Sequence, residues 1–463
     1  MKTKLLGTLL LLPLAAMSLL STASAHTRGQ PYIFHIPGTH PIVFLHGGSG
    51  SADQFESQAM RFESNGYPEE YVNALDYDST YTVETVDQVY ARIDQLLDLI
   101  QAKTGDPQID LIGHSKGAEL SYGYVESAPW RARRVARFIN LDSGSSPKDR
   151  LPAGIPSLGL WGGKGHCVGC RVVGATNVDI PNETHVQMAT SPESFVEMYK
   201  YLVGRPPATS DIVPENPAFV EISGKAVNFP QNTGVPDGVL QIWRVDGDTG
   251  RRLTAGPDAV YPLGGDGSWG PFYAIGGAHY EFAIVRPDAK THHFYYEPFL
   301  RDDHLIRLLT EPANGPIASY TDVSPRQTNL IVMRNKELWG DQGVHNDVLD
   351  VDGVNVVSPA THPIERFIIA TFIFDKGADG VSHLGVPIPP FNSISFFTAV
   401  DLFIPAASPP NASVSLVLIP REGHTQTINV PNWASTTDAV TVQFNDFNQE
   451  FNSWADWANA HLH

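Results

Sequence analysis

Apolar positions change their period along this chain. Between Pro41 and about Gly204, short unbroken apolar runs alternate with longer stretches in which apolar residues recur every three or four positions. The runs "PIVFL", "IDLI", "VARFINL" and "IPSLGLW" read as buried strands. In "TVDQVYARIDQLLDLIQAKTG", Val86, Val89, Ile93, Leu96, Leu97 and Ile100 share one helical face, with Gly105 as the stop. "KGAELSYGYVES" predicts a helix directly after "IDLI". "SPESFVEMYKYLVG" predicts another, with Ser191 as N-cap, Pro192 in its first position and Gly204 at its end. Short apolar strands alternating with helices predict a mostly parallel sheet covered by helices on both faces.

The pattern switches after a proline-rich linker, residues 205–217 ("RPPATSDIVPENP"). Beyond it the period is two, and glycine, aspartate and proline punctuate the runs, as in "GVLQIWRVDGDTGRRL" and "ERFIIATFIF". Asp246-Gly247 predicts a hairpin turn. One or two all-β sandwiches follow from this pattern, divided here into residues 218–300 and 301–463. Trp243, Trp269, Phe272 and Tyr273 read either as core or as an aromatic binding face.

The start of the chain has a different logic. Lys2 and Lys4 precede an apolar run that ends in Ala23-Ser24-Ala25, the pattern of a cleaved export signal spanning residues 1–25. A membrane anchor is the weaker reading, because the run is short and Pro13 interrupts it. The protein is therefore expected outside the cell or in the periplasm, as residues 26–463, with no membrane span. The formal net charge of −19 becomes more negative once Lys2 and Lys4 are removed, which argues against nucleic acid and anionic lipid as partners. The two cysteines, Cys167 and Cys170 in "GHCVGC", predict a short disulfide in an exported chain; a C-x-x-C redox motif is the alternative.

Candidate chemistry enters with "IDLIGHSKGAEL". A strand, Gly-x-Ser-x-Gly and a helix form the pattern of a nucleophile elbow, which marks Ser115 as nucleophile. Gly113 and Gly117 leave room for a sharp turn that exposes the serine hydroxyl at a helix N-terminus. The loop His46-Gly47-Gly48-Ser49-Gly50 follows an earlier strand, where such proteins supply an oxyanion donor. The backbone N–H groups of Gly48 and Lys116 are the expected donors. His46 competes for the role of base but reads as structural in this motif.

The segments "FLHGGSGSADQFESQAMRFESNGYP", "GHSKGA" and "NETHVQMATSPESF" resemble the secreted α/β-hydrolase lipases and carboxylesterases of the Archaeoglobus lipase type. The likeness is strong over the hydrolase unit, reaches into "GKAVNFPQNTG", and fades in the last segment. It implies an α/β-hydrolase domain over residues 26–204, a transthyretin-like β-sandwich over 218–300 and a second C-terminal β domain. It also implies a Ser-Asp-His triad, hydrolysis of acyl esters or lipids, no metal or organic cofactor, and a β-domain that handles lipid substrate.

In this fold the partners follow in the order serine, acid, histidine. His185 lies between a last strand and the last helix, where the base reaches back over the sheet edge; His166 is its competitor. The segment after "SLGLW" contains no Asp or Glu, and some lipases of the resemblance group carry the acid at the end of the preceding strand. That selects Asp142, with Asp179 as the alternative and Asp149 as a surface residue. The short stretch between Gly48 and Ser115 leaves little room for a long lid, so Tyr67–Tyr81 is expected as local cover. The hydrolase unit is expected to act alone on small soluble esters, with the β-region serving longer chains. Two other readings are a polyester hydrolase and an inactive surface-binding protein.

Overall fold

Six strands pair in parallel to make the first sheet: β1 (Ile42–Leu45), β2 (Val72–Leu75), β3 (Ile109–His114), β4 (Val135–Leu141), β5 (Ser157–Lys164) and β6 (Thr176–Thr184). Their order is β2-β1-β3-β4-β5-β6. The computed structural model describes residues 36, 38–144, 151–218, 220–312, 315, 317–448 and 453–461; the segment read as an export signal, residues 1–25, and Asp149 lie outside them. Five helices accompany the sheet: α1 (Glu56–Ser64), α2 (Val86–Thr104), α3 (Lys116–Ser127), the single turn α4 (Pro129–Ala132) and α5 (Pro192–Val203).

Alternate strand residues face opposite sides, so each face of the sheet builds its own core. Val43, Leu45 and Leu111 pack with Ile93 and Leu97 of α2. Ile42, Phe44 and Ile112 pack with Phe62 of α1 and with Phe195 and Met198 of α5. Both long helices stop as their sequences dictate. Thr85 and Gln88 close a capping box at the start of α2, and Gly105 ends it with φ 76°. Ser191 caps α5 by accepting from the Ser194 N–H, and Gly204 ends that helix with φ 77°. This is the α/β-hydrolase fold that the alternating pattern predicts.

One expectation fails. Tyr67–Tyr81 does not form a cover: its centre is the edge strand β2, and Tyr67, Tyr71 and Tyr77 are buried. The mixed polarity of "VNAL" hides the strand, because an edge strand needs only one well-buried position.

The β-region contains an eight-stranded sheet and two four-stranded sheets. Half of the long sheet comes from Val239–Val245, Ala259–Pro262, His279–Val285 and Thr291–Tyr296. The other half comes from Leu330–Arg334, Ala370–Phe374, Phe397–Asp401 and Asp438–Phe444. The halves meet where Thr291–Tyr296 pairs in parallel with Asp438–Phe444. There Phe294 and Tyr296 enter one core and Tyr295 the other, so the two smaller sheets cover opposite faces. The expected boundary at residue 300 is displaced. Asp303–Thr310 pairs with Val220–Asn228 and belongs to the first β unit. The charged, proline-containing "EPFLRD" connects two strands, Thr291–Tyr296 and Asp303–Thr310. Trp243 and Trp269 are buried, Phe272 packs against the same core, and only Tyr273 is exposed, at 63%. The core reading therefore fits this aromatic group.

The β-region is tied to the hydrolase fold by buried polar contacts. Arg307 donates from Nε to both oxygens of Asp76 at 3.0 Å. The side-chain amide of Asn335 donates to the Asp53 carbonyl at 3.0 Å, and Arg301 donates to Ser64 Oγ at 2.7 Å. Among the described residues no helix is long and apolar enough to cross a membrane.

Candidate active site

Ser115 stands between β3 and α3 with φ 51° and ψ −120°, a left-handed backbone that an L residue adopts only under constraint. The constraint comes from its neighbours. A Cβ on Gly113 would lie 2.6 Å from the Ala118 backbone, and one on Gly117 would lie 2.1 Å from the Leu45 carbonyl oxygen. Both glycines are therefore required for α3 to press against β3 and β1. The serine side chain is left partly exposed at the start of α3.

His185 follows β6, and Asp142 follows β4 with φ 48°. His185 Nδ1–H donates to Asp142 Oδ2 at 2.7 Å, and its Nε2 accepts from Ser115 Oγ at 3.0 Å. The Asp142 carboxylate is wholly buried and has two further donors, the N–H groups of His166 at 2.7 Å and Gly162 at 3.2 Å. A Cβ on Gly165 would lie 2.4 Å from Asp142 Oδ2, so the glycine-rich "GGKGHC" segment is a cradle for this carboxylate. Cys167 and Cys170 form a disulfide within the same loop, with Cα atoms 5.5 Å apart.

The competing candidates make other contacts. Asp179 pairs with Arg171 at 2.5 Å on the surface. His166 contributes its backbone N–H to Asp142, and its ring is 5.4 Å from that of His185. His46 is fully buried and stacked on Tyr77 at 4.2 Å. Its Nδ1–H donates to the Gly47 carbonyl at 2.8 Å, and its Nε2 accepts from the Tyr77 N–H at 3.2 Å. Burial pushes its pKa down to about 4, which keeps it neutral.

The loop after β1 lies against the serine. A Cβ on Gly47 would be 3.2 Å from Ser115 Cβ, and one on Gly48 would be 4.0 Å from Lys116 Cδ. Gln54 Oε1 accepts from the Gly47 N–H at 3.0 Å. No hydrogen bond to a described residue uses the backbone N–H of Gly48 or of Lys116. The Lys116 side chain donates to the Ser79 carbonyl and covers the Tyr81 ring at 4.7 Å. Ser79 and Tyr81, at the end of Tyr67–Tyr81, thus reach the residue after Ser115.

Sequence reasoning missed the residues that the β-region brings to the site. The rings of Phe367 and Phe396 lie 5.5 and 6.3 Å from that of His185. Both have left-handed backbones, with φ 53° and 73°. The Phe396 N–H donates to the Arg366 carbonyl, and the Phe396 carbonyl accepts from the Ile369 N–H, each at 2.9 Å. The side-chain amide of Asn232 donates to the Gly50 carbonyl at 2.8 Å, beside the oxyanion loop.

Family models match three parts of the chain. Residues 39–128 match the model described as lipase (class 2), and residues 218–313 match the lipase C-terminal domain. Together the matches support a lipase-like family that carries a C-terminal domain. A further C-terminal-domain model matches residues 316–448. The two β-region matches meet between residues 313 and 316, on the same side of Asp303–Thr310 as the strand pairing requires. The search among curated proteins returns no match.

Solved structures are similar to a little over a third of this chain. A monoacylglycerol lipase from Paleococcus ferrophilus is 14% identical over 36% of this chain and 96% of its own, with a TM-score of 0.27. Aspergillus fumigatus lipase B is 12% identical over 38% of this chain and 54% of its own, with a TM-score of 0.30. A probable hydrolytic enzyme from Pseudomonas aeruginosa is 16% identical over 35% of this chain and 84% of its own, with a TM-score of 0.27.

Proposed function

We propose that this lipase-like hydrolase is an exported serine esterase that cleaves acyl esters through an acyl-enzyme. The observation that carries the reading is the continuous hydrogen-bonded line from Ser115 Oγ through His185 to Asp142, which starts at a left-handed serine. In this mechanism Ser115 Oγ attacks the ester carbonyl while His185 Nε2 takes its proton. Asp142 keeps the Nδ1 proton in place and balances the imidazolium. The uncommitted N–H groups of Gly48 and Lys116 receive the oxyanion, each worth about 3 kcal/mol. The alcohol departs with a proton from His185, and water activated by the same ring releases the acid.

Phe367 and Phe396 offer an apolar wall to the acyl chain. Phe397, the next residue, lines an apolar cavity of about 290 Å³ together with Phe229, Ile331, Met333, Phe372 and Val440. This combination favours a lipid or other aliphatic ester over a strongly polar one. The hydrogen-bonded set also argues against an inactive binding protein. Ser115→Ala should abolish hydrolysis of p-nitrophenyl butyrate, and a fluorophosphonate should label the Ser115 peptide of the native protein. Survival of activity in that variant, with label on another serine, would overturn the proposal.

A further inference from the structure

The base lies on a loop that is also held by a residue of the C-terminal β unit. Glu337, in the turn "RNKELWG" after the strand Leu330–Arg334, is fully buried, and its carboxylate points into the hydrolase fold. Its Oε1 accepts from the Val186 N–H at 2.6 Å. Its Oε2 accepts from the Gln187 N–H at 3.1 Å and from Thr184 Oγ1 at 2.6 Å. These three donors belong to the residue before His185 and the two after it. A buried carboxylate is costly unless hydrogen bonds satisfy it, and all of these come from the loop that carries the base.

The anchor is itself fixed. Arg421 donates from Nη1 to the Glu337 carbonyl at 2.8 Å and from Nη2 to Gln187 Oε1 at 2.9 Å. Its guanidinium lies 3.8 Å from the ring centroid of Trp339 and is paired with the buried Asp347 at 2.8 Å. The Leu338 N–H donates to the Ile368 carbonyl at 2.8 Å, one residue from Phe367. From the hydrolase side, buried His114 donates from Nε2 to the His185 carbonyl at 2.8 Å. The backbone around the base is thus gripped from both regions.

We infer that Glu337 is a positioning residue for His185: its carboxylate, offered across the boundary between the regions, sets where the base stands relative to Ser115. The inference rests on the proposed triad. It assigns Glu337 no contact with substrate. A displacement of the imidazole by about 1 Å costs on the order of 100-fold in rate without a matching loss of ground-state binding. Packing alone would make a different forecast, because Glu337→Gln conserves volume. The amide keeps one acceptor oxygen and turns an NH2 group towards backbone donors.

The test is steady-state hydrolysis of p-nitrophenyl butyrate by the full-length chain and its Glu337→Gln, Glu337→Asp and Thr184→Val variants, with urea unfolding of each. Glu337→Gln should lower kcat about 100-fold and leave KM within about twofold. Glu337→Asp, which keeps the charge at shorter reach, should recover part of that loss. Thr184→Val removes one of the three donors and should lower kcat about fivefold at constant KM. A folded Glu337→Gln protein with native kcat would overturn the inference. If Glu337→Gln does not unfold cooperatively, native kcat in Thr184→Val overturns it instead. Ser115→Ala run alongside separates the two claims: activity in that variant sinks the triad, whereas its inactivity with a fully active Glu337→Gln sinks only the positioning role.

Discussion

In the hydrolase fold, the proposed catalytic groups sit a few residues from the glycines that make room for them. In the β-region, the groups that reach the site come from turns and strand ends far away in sequence. Ser115 lies between Gly113 and Gly117, and Asp142 rests in a cradle that needs Gly165. By contrast, Asn232, Glu337, Phe367 and Phe396 carry no local signature. They act by satisfying or covering what the hydrolase loops leave open. On the proposed triad, one region supplies the reactive groups, and the other is inferred to hold them in register. A β-region that merely gathered lipid would not need buried hydrogen bonds to the loops on either side of the serine.

The strongest way to break this contrast is to remove the β-region. The hydrolase unit was expected to keep activity on small esters, but its His185 loop would lose Glu337, and buried Asp76 would lose Arg307. A chain ending within 205–217 should therefore have no measurable activity on butyrate, as on long-chain esters. Specific activity and circular dichroism of the fragment check this, and butyrate activity retained by a folded fragment would restore the simpler division of labour.

Next come the acids. Asp142→Asn should lower kcat by about 10⁴ through the wrong histidine tautomer. Asp179→Asn should stay within about twofold, because it disturbs only an exposed pair with Arg171. The reverse ranking would move the acid to Asp179, within β6.

The boundary between regions can be tested by stability. Asp76 is buried, and although burial opposes its charge, Arg307 and Lys225 hold its carboxyl well below the usual range. Arg307→Met would leave that carboxylate with Lys225 alone, 3.5 Å away, and with the Ala52 N–H. A loss of about 3 kcal/mol in urea unfolding is expected. A single transition in the native protein and two in the variant would mean that this pair couples the regions.

How much of this was legible in the sequence depends on the range of each interaction. The elbow, the oxyanion loop and the caps of α2 and α5 rest on contacts within a few residues, and their patterns are plain in "GHSKGA", "HGGSG" and "SPESF". Asp142 emerged partly by exclusion, since "GGKGHCVGC" lacks an acid; the reason for its glycines appears only when the fold brings it around that carboxylate. The edge strand β2 was hidden by its half-exposed positions. Nothing in "RNKELWG" distinguishes Glu337 from a solvated turn residue, because its donors lie about 150 positions away. Left-handed Phe367 and Phe396 are equally silent, as no sequence rule places phenylalanine in that backbone.

The smallest expected effect is on pH dependence. Burial works against a charge on His304, but Glu69 at 3.3 Å, with Glu63 beyond it, raises its pKa from 6.5 to about 9. A raised histidine contributes stability in full below pH 6.5 and loses it as the pH climbs through 9. Glu63, pushed up to about 8 by burial, acts in the same direction between about pH 4.5 and 8. Thermal unfolding between pH 6 and 9.5 should therefore show a modest decline. His304→Gln should flatten its upper part, and an unchanged slope would remove His304 from the boundary's account.

The most direct test of the division between chemistry and placement is a crystal structure of the protein inactivated by a long-chain alkyl fluorophosphonate. Phosphorus should be bonded to Ser115 Oγ, with its phosphoryl oxygen accepting from the Gly48 and Lys116 N–H groups. The alkyl chain should run along Phe367 and Phe396, while Glu337 still accepts from Val186 and Gln187. A chain lying wholly on hydrolase residues, or a His185 loop unchanged with Glu337 turned away, would contradict it.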